Sequence, residues 1–259
     1  MPKIPAIARR APGRIHPRRL VFAILGMALA ALSTSASAAS LLLWPVHPVF
    51  EADEPAAALW IENRGESTAW LQVRVVGWEQ QDGENRYPAQ QSVVASPPML
   101  EVGSGERHLV RLVRQVATPA GTEQAWRIIL DEIPTLENRG ATDEPKAGVN
   151  LQMRYSLPLF SLGEGLADAD ETGDDLRWRL VDRNGATQLE ISNRGERHVR
   201  LTQVVGSGSR GDTTIAQGLL GYVLPESTQR WPLPDGVDID SLTAKLNGQA
   251  PVTLVRDGN

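Results

Sequence analysis

Past residue 38 the chain alternates. Leu59-Trp60-Ile61-Glu62-Asn63 and Leu71-Gln72-Val73-Arg74-Val75 carry apolar side chains at every second position, and Arg64-Gly65-Glu66 turns between them. A period of two describes half-buried strands, and the Gly-centred turn predicts that these two pair antiparallel. Leu109-Val110-Arg111-Leu112-Val113 and Trp126-Arg127-Ile128-Ile129-Leu130 are two further strands, and Val149 to Leu157 is the longest strict alternation in the chain. Pro97-Pro98 and Pro134 punctuate the stretches between them. No long window shows a helical stripe. Short strands at this spacing predict an all-β fold of the sandwich type.

The pattern repeats. Leu59, Ile61 and Asn63-Arg64-Gly65-Glu66 recur as Leu189, Ile191 and Asn193-Arg194-Gly195-Glu196, at a constant offset of 130 positions. Leu71 and Leu201 keep that offset, and Val75-Val76-Gly77 returns as Val204-Val205-Gly206 with a slip of one residue. A strand–turn–strand unit repeated once at this distance implies two sandwiches of related build. A third Glu137-Asn138-Arg139-Gly140 lacks the flanking alternation and reads as coincidence. Between the two units, Ser161 to Asp175 is acidic and Gly-containing, with the composition of a linker. The expected organisation is residues 39–162 as a first domain, 163–175 as an acidic linker, and 176–259 as a second domain beginning at Leu176-Arg177-Trp178-Arg179-Leu180. Tyr222-Val223-Leu224-Pro225 and Arg230-Trp231-Pro232-Leu233 continue it.

Residues 1–38 have a different character. Five arginines (Arg9, Arg10, Arg14, Arg18 and Arg19) precede an apolar run from Leu20 to Leu32, and Ala36-Ser37-Ala38 closes it. This is the pattern of a secretory signal peptide cleaved near Ala38/Ala39, and the run is too short for a spanning helix. The mature protein is expected outside the cytoplasm and not embedded in a membrane. The whole chain carries a formal charge of -5, and without residues 1–38 its net charge is -11. That excludes the basic field of a nucleic-acid binder. The chain has no Cys, so neither disulfides nor thiolate chemistry are available and the cores alone hold it together.

Candidate catalytic chemistry is missing. His47, His108 and His198 stand far apart, and there is no G-x-S-x-G elbow, phosphate-binding Gly loop or H-E-x-x-H. The acids Asp168, Asp170, Glu171, Asp174 and Asp175 lack the ligand order and Gly of a calcium loop and read as a solvated linker. The expectation is a binding protein without metal or cofactor. Most of the seven Trp are expected in sandwich cores.

From Trp44 to Pro232 the chain resembles the periplasmic chaperones of the chaperone–usher pilus pathway, the PapD-like family. The carriers of the resemblance are Val49-Phe50, Ile61-Glu62-Asn63, Ala95-Ser96-Pro97-Pro98 with Leu100 and Val102-Gly103, Val110-Arg111-Leu112, Leu130-Asp131-Glu132-Ile133-Pro134, and the strand Leu151 to Phe160. Gly77-Trp78-Glu79, Ser156-Leu157-Pro158-Leu159-Phe160 and Tyr222-Val223-Leu224-Pro225 look like the archaic, spore-coat-U-like branch.

The resemblance implies two immunoglobulin-like domains in an L-shaped (boomerang) arrangement, a periplasmic location and no cofactor. It implies pilin or fimbrial subunits and an outer-membrane usher as partners, with the free protein open to self-association through its donor edge. The last strand of the first domain would complete a subunit lacking one strand. Ala147, Val149, Leu151 and Met153 would fill its groove, since alternate residues share one face. The family anchors the subunit's C-terminal carboxylate with an Arg and a Lys; here His47 and Ser156 stand in those places. Arg154, two residues from Ser156 on the same face, and Arg111 are the substitute candidates alongside His47. The family's interdomain ion network is also broken: Glu132 keeps its acid, but Phe160 replaces its Arg. The competing reading is a secreted two-domain adhesin or carbohydrate-binding module, which would present Trp and Tyr on loops beside polar groups.

Overall fold

The computed structural model describes residues 41–134, 152–166 and 172–258, all of them within one compact unit, Ala39–Asn259. The leader, the segment 135–151 with Ala147, Val149 and Leu151, the Glu137–Gly140 motif, and Asp168, Asp170 and Glu171 lie outside the described residues. The described residues hold strands and no helix.

Two sheets build the first sandwich. One has the order β1 (Leu41–Trp44), β3 (Ala56–Asn63), β9 (Arg107–Arg114), β7 (Val93–Ser96). The other has the order β2 (Val49–Phe50), β11 (Arg154–Leu162), β10 (Glu123–Glu132), β4 (Ala69–Gly77), β8 (Met99–Val102). Leu59 and Ile61 on β3 and Val110 and Leu112 on β9 meet Leu71 and Val73 on β4, Ile128 and Leu130 on β10 and Leu157 and Leu159 on β11. β3, β4, β9 and β10 alternate because one face enters that core and the other leaves it, whereas β11 is buried at every position from Leu157 to Leu162.

The pairing expected between Leu59–Asn63 and Leu71–Val75 does not occur. β3 pairs β1 and β9, whereas β4 pairs β10 and β8. Both runs face the same core from opposite layers, so the Asn63-Arg64-Gly65-Glu66 turn is a corner between sheets. Asn63 fastens it: its amide donates to the carbonyls of Ser67 and Val102 at 2.7 and 2.9 Å, and its Oδ1 accepts from the N–H of Gly65 at 2.9 Å. The repeat has the same corner. Asn193 donates to the carbonyls of Arg197 and Val223 at 2.7 and 3.1 Å and accepts from the N–H of Gly195 at 2.9 Å. The shared Asn-Arg-Gly-Glu is therefore a structural element, a buried amide tying a sheet-to-sheet corner to a neighbouring strand.

The second sandwich comprises β12 (Leu176–Arg183), β13 (Ala186–Asn193), β14 (Val199–Gly208), β15 (Gly211–Val223), β16 (Thr228–Pro232), β17 (Ser241–Leu246) and β18 (Pro251–Arg256). Its two layers are joined by a short parallel contact of β18 with β12. Trp178, Leu189, Ile191, Leu201, Leu242 and Leu246 form its core. A small hairpin, β5 (Glu79–Gln81) and β6 (Glu84–Arg86), leaves the first sandwich and docks on β16 of the second, where Gly83 bridges Gln229. Of the seven Trp, Trp78, Trp126 and Trp178 are buried, while Trp70 is exposed. Trp44 and Trp60 stack on each other with Arg107 over Trp44, at the half-buried outside of the first sandwich.

Candidate functional site

β11 is an edge strand along part of its length. On one side it pairs β10 from Arg154 to Leu162; on the other, β2 reaches only Phe160 and Ser161. Strand parity shows which groups are free. Met153 accepts from the N–H of Glu132, and the N–H of Gly163 donates to Thr122, so the odd-numbered residues of β11 face β10. The even ones face away: the N–H of Phe160 donates to the carbonyl of Pro48 on the β2 side. The outward amides of Arg154 and Ser156 thus lie on an edge without a paired strand among the described residues. Pro158, next in this series, has no N–H to offer.

Side chains sort by the same parity. Leu157 and Leu159 enter the core and Tyr155 packs against it. Arg154, Ser156, Pro158 and Phe160 lie on the opposite face of the sheet. Met153, the one described member of the expected groove-filling set, has the parity of Leu157 and is 42% exposed.

That opposite face leads to the junction with the second sandwich, which is aromatic. Trp78, Phe160, Tyr222 and Leu224 form a buried cluster with Val49 and Ala125. Phe160 stacks on His198 at 3.5 Å between centroids, and Trp78 meets Tyr222 edge-on at 5.5 Å. Phe160, standing where the resemblance placed an Arg, is thus packed among rings. The ionic part of the junction has moved to Glu123. Its fully buried carboxylate accepts from the backbone N–H of His198 at 3.0 Å and meets His198 Nδ1 at 2.9 Å. Gln80 of the hairpin bonds the backbone on both sides of Val223, donating to the carbonyl of Tyr222 at 2.8 Å and accepting from the N–H of Leu224 at 2.9 Å.

The sequence-predicted cations are not brought together. Arg154 is 68% exposed and forms an ion pair with Asp131, which also binds Arg74 at 2.6 Å. Burial opposes the Asp131 charge, and bonds to Arg74 and Arg154 outweigh it, holding the carboxyl below its usual pKa. Arg111 lies on β9 in the other sheet, with its side chain outward. His47 does face the junction. With Phe160, Arg197, His198, Arg200, Tyr222 and Asn247 it lines a pocket of about 210 Å³. Burial, Arg200 and His198 all push its pKa below 6.5.

Sequence reasoning missed Arg127. It stands opposite Pro158 in the β10–β11 register, and its guanidinium lies 3.9 Å from the centroid of the Trp78 ring and 5.8 Å from that of Tyr222. Its Nε is buried without a hydrogen-bond partner, and among the described residues no carboxylate pairs with it. Burial lowers its pKa, with Tyr87 and Tyr222 opposing. The guanidinium nonetheless stays charged at neutral pH. Arg200 approaches Tyr222 as well; burial raises that phenol's pKa while Arg200 and Arg127 pull it down. An acidic chain therefore holds a half-buried cation, without a counter-ion among the described residues, beside the end of an open strand edge, an arrangement suited to binding an anion. The only sequence signal for it was an Arg on the outward parity of a strand otherwise rich in Ile and Leu.

Residues 44–167 match the family profile described as the pili and flagellar-assembly chaperone, PapD N-terminal domain. Among solved structures, the chain resembles the complex of CsuC and CsuE from Acinetobacter baumannii, a chaperone–tip adhesion subunit pre-assembly complex of archaic Csu pili. The identity is 28%, with 85% of this chain and 100% of that one covered and a TM-score of 0.69. The fold is shared with the Salmonella enterica SafA pilin–SafB chaperone complex, at 17% identity, 85% and 98% coverage and a TM-score of 0.61. It is shared also with the E. coli chaperone DraB, at 18%, 85% and 97%, and 0.56. No curated protein matched the chain in a sequence comparison.

Proposed function

We propose that the chain is a pilus-assembly chaperone of the PapD-like family, which captures fimbrial subunits in the periplasm by lending them a strand and hands them to an outer-membrane usher. The observation that carries this reading is a β11 edge with no paired strand among the described residues, running up to a guanidinium whose buried Nε has no partner. A subunit sandwich short of one strand exposes an apolar groove and two open edges, which aggregate unless covered. Its terminal strand adds to the outward amides of Arg154 and Ser156. Its C-terminal carboxylate comes to Arg127, opposite Pro158, with Arg200 and His47 nearby. A terminus at that end makes the incoming strand parallel to β11.

The groove-filling residues are Met153 and, by alternation, Leu151, Val149 and Ala147 from the segment before it. Each buried aliphatic contributes about 1.5–3 kcal/mol before the cost of ordering. Domain limits of 39–162 and 176–259, with a cleaved leader, accompany this reading.

The test is co-expression with a subunit of its own pilus system and affinity capture. Leu151→Asp abolishes capture, because a charge cannot enter the groove without a desolvation cost of several kcal/mol. Asn150→Asp, on the opposite parity, leaves capture largely intact. Equal recovery of subunit with both variants refutes strand donation in this register.

A further inference from the structure

We propose that Pro158 is a register stop: it fixes how far a captured strand slides along β11, and so sets which subunit residue ends at Arg127. The inference rests on strand donation as proposed above. Its grounds are the hydrogen-bonding groups of the edge itself.

The outward groups of β11 fall at Arg154, Ser156, Pro158, Phe160 and Leu162. At Phe160 the edge is occupied by β2, through the Phe160 N–H to the Pro48 carbonyl at 3.3 Å. The β2 ladder cannot extend one step back toward Ser156, because Pro48 has no N–H and neither has Pro158. Pro158 is itself buried, so the edge closes at this point. An incoming strand therefore finds donors at Ser156 and Arg154 and none beyond. A proline inside a strand is tolerated where its missing N–H points off the ladder, and here the β10 ladder is intact because odd residues make it.

Without such a stop the register would be soft. A slip of two residues restores every side chain to its own face, so alternation alone does not distinguish the two positions. Arg127 attracts a carboxylate, but a guanidinium on a ring surface accepts an anion from several directions. The missing donor at Pro158 removes the competing register by denying it a hydrogen bond at the point where the terminus must end.

The chain contains no Cys, which makes the test direct. Ser156→Cys is placed in the otherwise native chaperone, and single cysteines are placed at successive positions near the C-terminus of a subunit of the same system. Disulfide formation in the assembled complex reads the register. With Pro158 present, one subunit position accounts for most of the cross-link. Adding Pro158→Ala restores an outward N–H, and a second position two residues farther from the subunit terminus cross-links at comparable yield. A second variant shifts the stop the other way: Ser156→Pro, read from Arg154→Cys, moves the dominant cross-link by two residues toward the subunit terminus. An unchanged single position in both variants overturns the register stop while leaving strand donation standing. No cross-link at any subunit position, with Pro158 present or absent, overturns strand donation and the stop with it.

Discussion

Replacing Arg127 by Met separates stability from function. The guanidinium sits 3.9 Å from the Trp78 centroid, which stabilises the fold by about 0.5–2 kcal/mol as a cation–π contact. Against this, its buried Nε has no partner, a penalty of about 1–3 kcal/mol. Met fills a similar space, and its sulfur keeps a contact of about 0.3–1.5 kcal/mol with the rings. The balance runs from about 0.7 kcal/mol against the variant to about 4 kcal/mol in its favour, centred at about 1.7. At about 2–4 °C per kcal/mol for a chain of this size, the centre of that range raises Tm by about 3–7 °C. Subunit capture behaves oppositely. Truncating one partner of a buried charge pair costs about 2–5 kcal/mol, so Kd weakens by about 30-fold to several thousand-fold. A thermal melt of the free chaperone and a titration with subunit peptide ending in a free carboxylate read the two effects. An amidated peptide removes most of the difference between native and variant. Native affinity in Arg127→Met refutes the anchor. A fall in Tm corresponding to more than about 3 kcal/mol shows instead that Arg127 serves the fold.

Three further outcomes follow from the same geometry. Asn63→Ala and Asn193→Ala each remove three hydrogen bonds at a buried corner and strand their partners, so each lowers stability by about 2–4 kcal/mol in chemical denaturation. Gln80→Ala loses its two bonds to the backbone flanking Val223 and costs about 1–2 kcal/mol locally, seen as faster hydrogen exchange at Leu224 with the cores unaffected. The His47 pKa is depressed by burial, Arg200 and His198, so the unfolded chain binds its proton more readily and the native state loses stability as pH falls below 6.5. His47→Asn lacks this component of the pH dependence when the two melts are compared, and a bound carboxylate at the pocket reduces it in the native chain.

The sequence carried the sandwich class plainly, because Leu59, Ile61, Leu71 and Val73 alternate for the same reason that they are buried. It misled on their pairing. A short connection such as residues 64–70 between two alternating runs looks the same whether the second strand returns beside the first or crosses to the other layer. What decides is the buried amide of Asn63, whose partner Val102 is 39 positions away. The open edge of β11 was legible as a long alternation, but its strand begins only at Arg154, and its free amides depend on how little of it β2 covers. The anchor was not legible. Arg154 and Arg111 look like Arg127 in composition, and only the fold distinguishes them: Asp131 neutralises the first, the other sheet carries the second, and Trp78 holds the third without a counter-ion.

The central claim, that β11 lends its outer edge to a subunit, is tested most directly by amide hydrogen exchange on the chaperone with and without captured subunit. Tyr155 and Leu157 face β10 and are protected in both states. The account predicts that Arg154 and Ser156 exchange quickly in the free protein and become protected in the complex, their outward N–H groups having gained strand partners. Protection that stays low at Arg154 and Ser156 while the subunit remains bound contradicts it, and places the subunit on another surface of the protein.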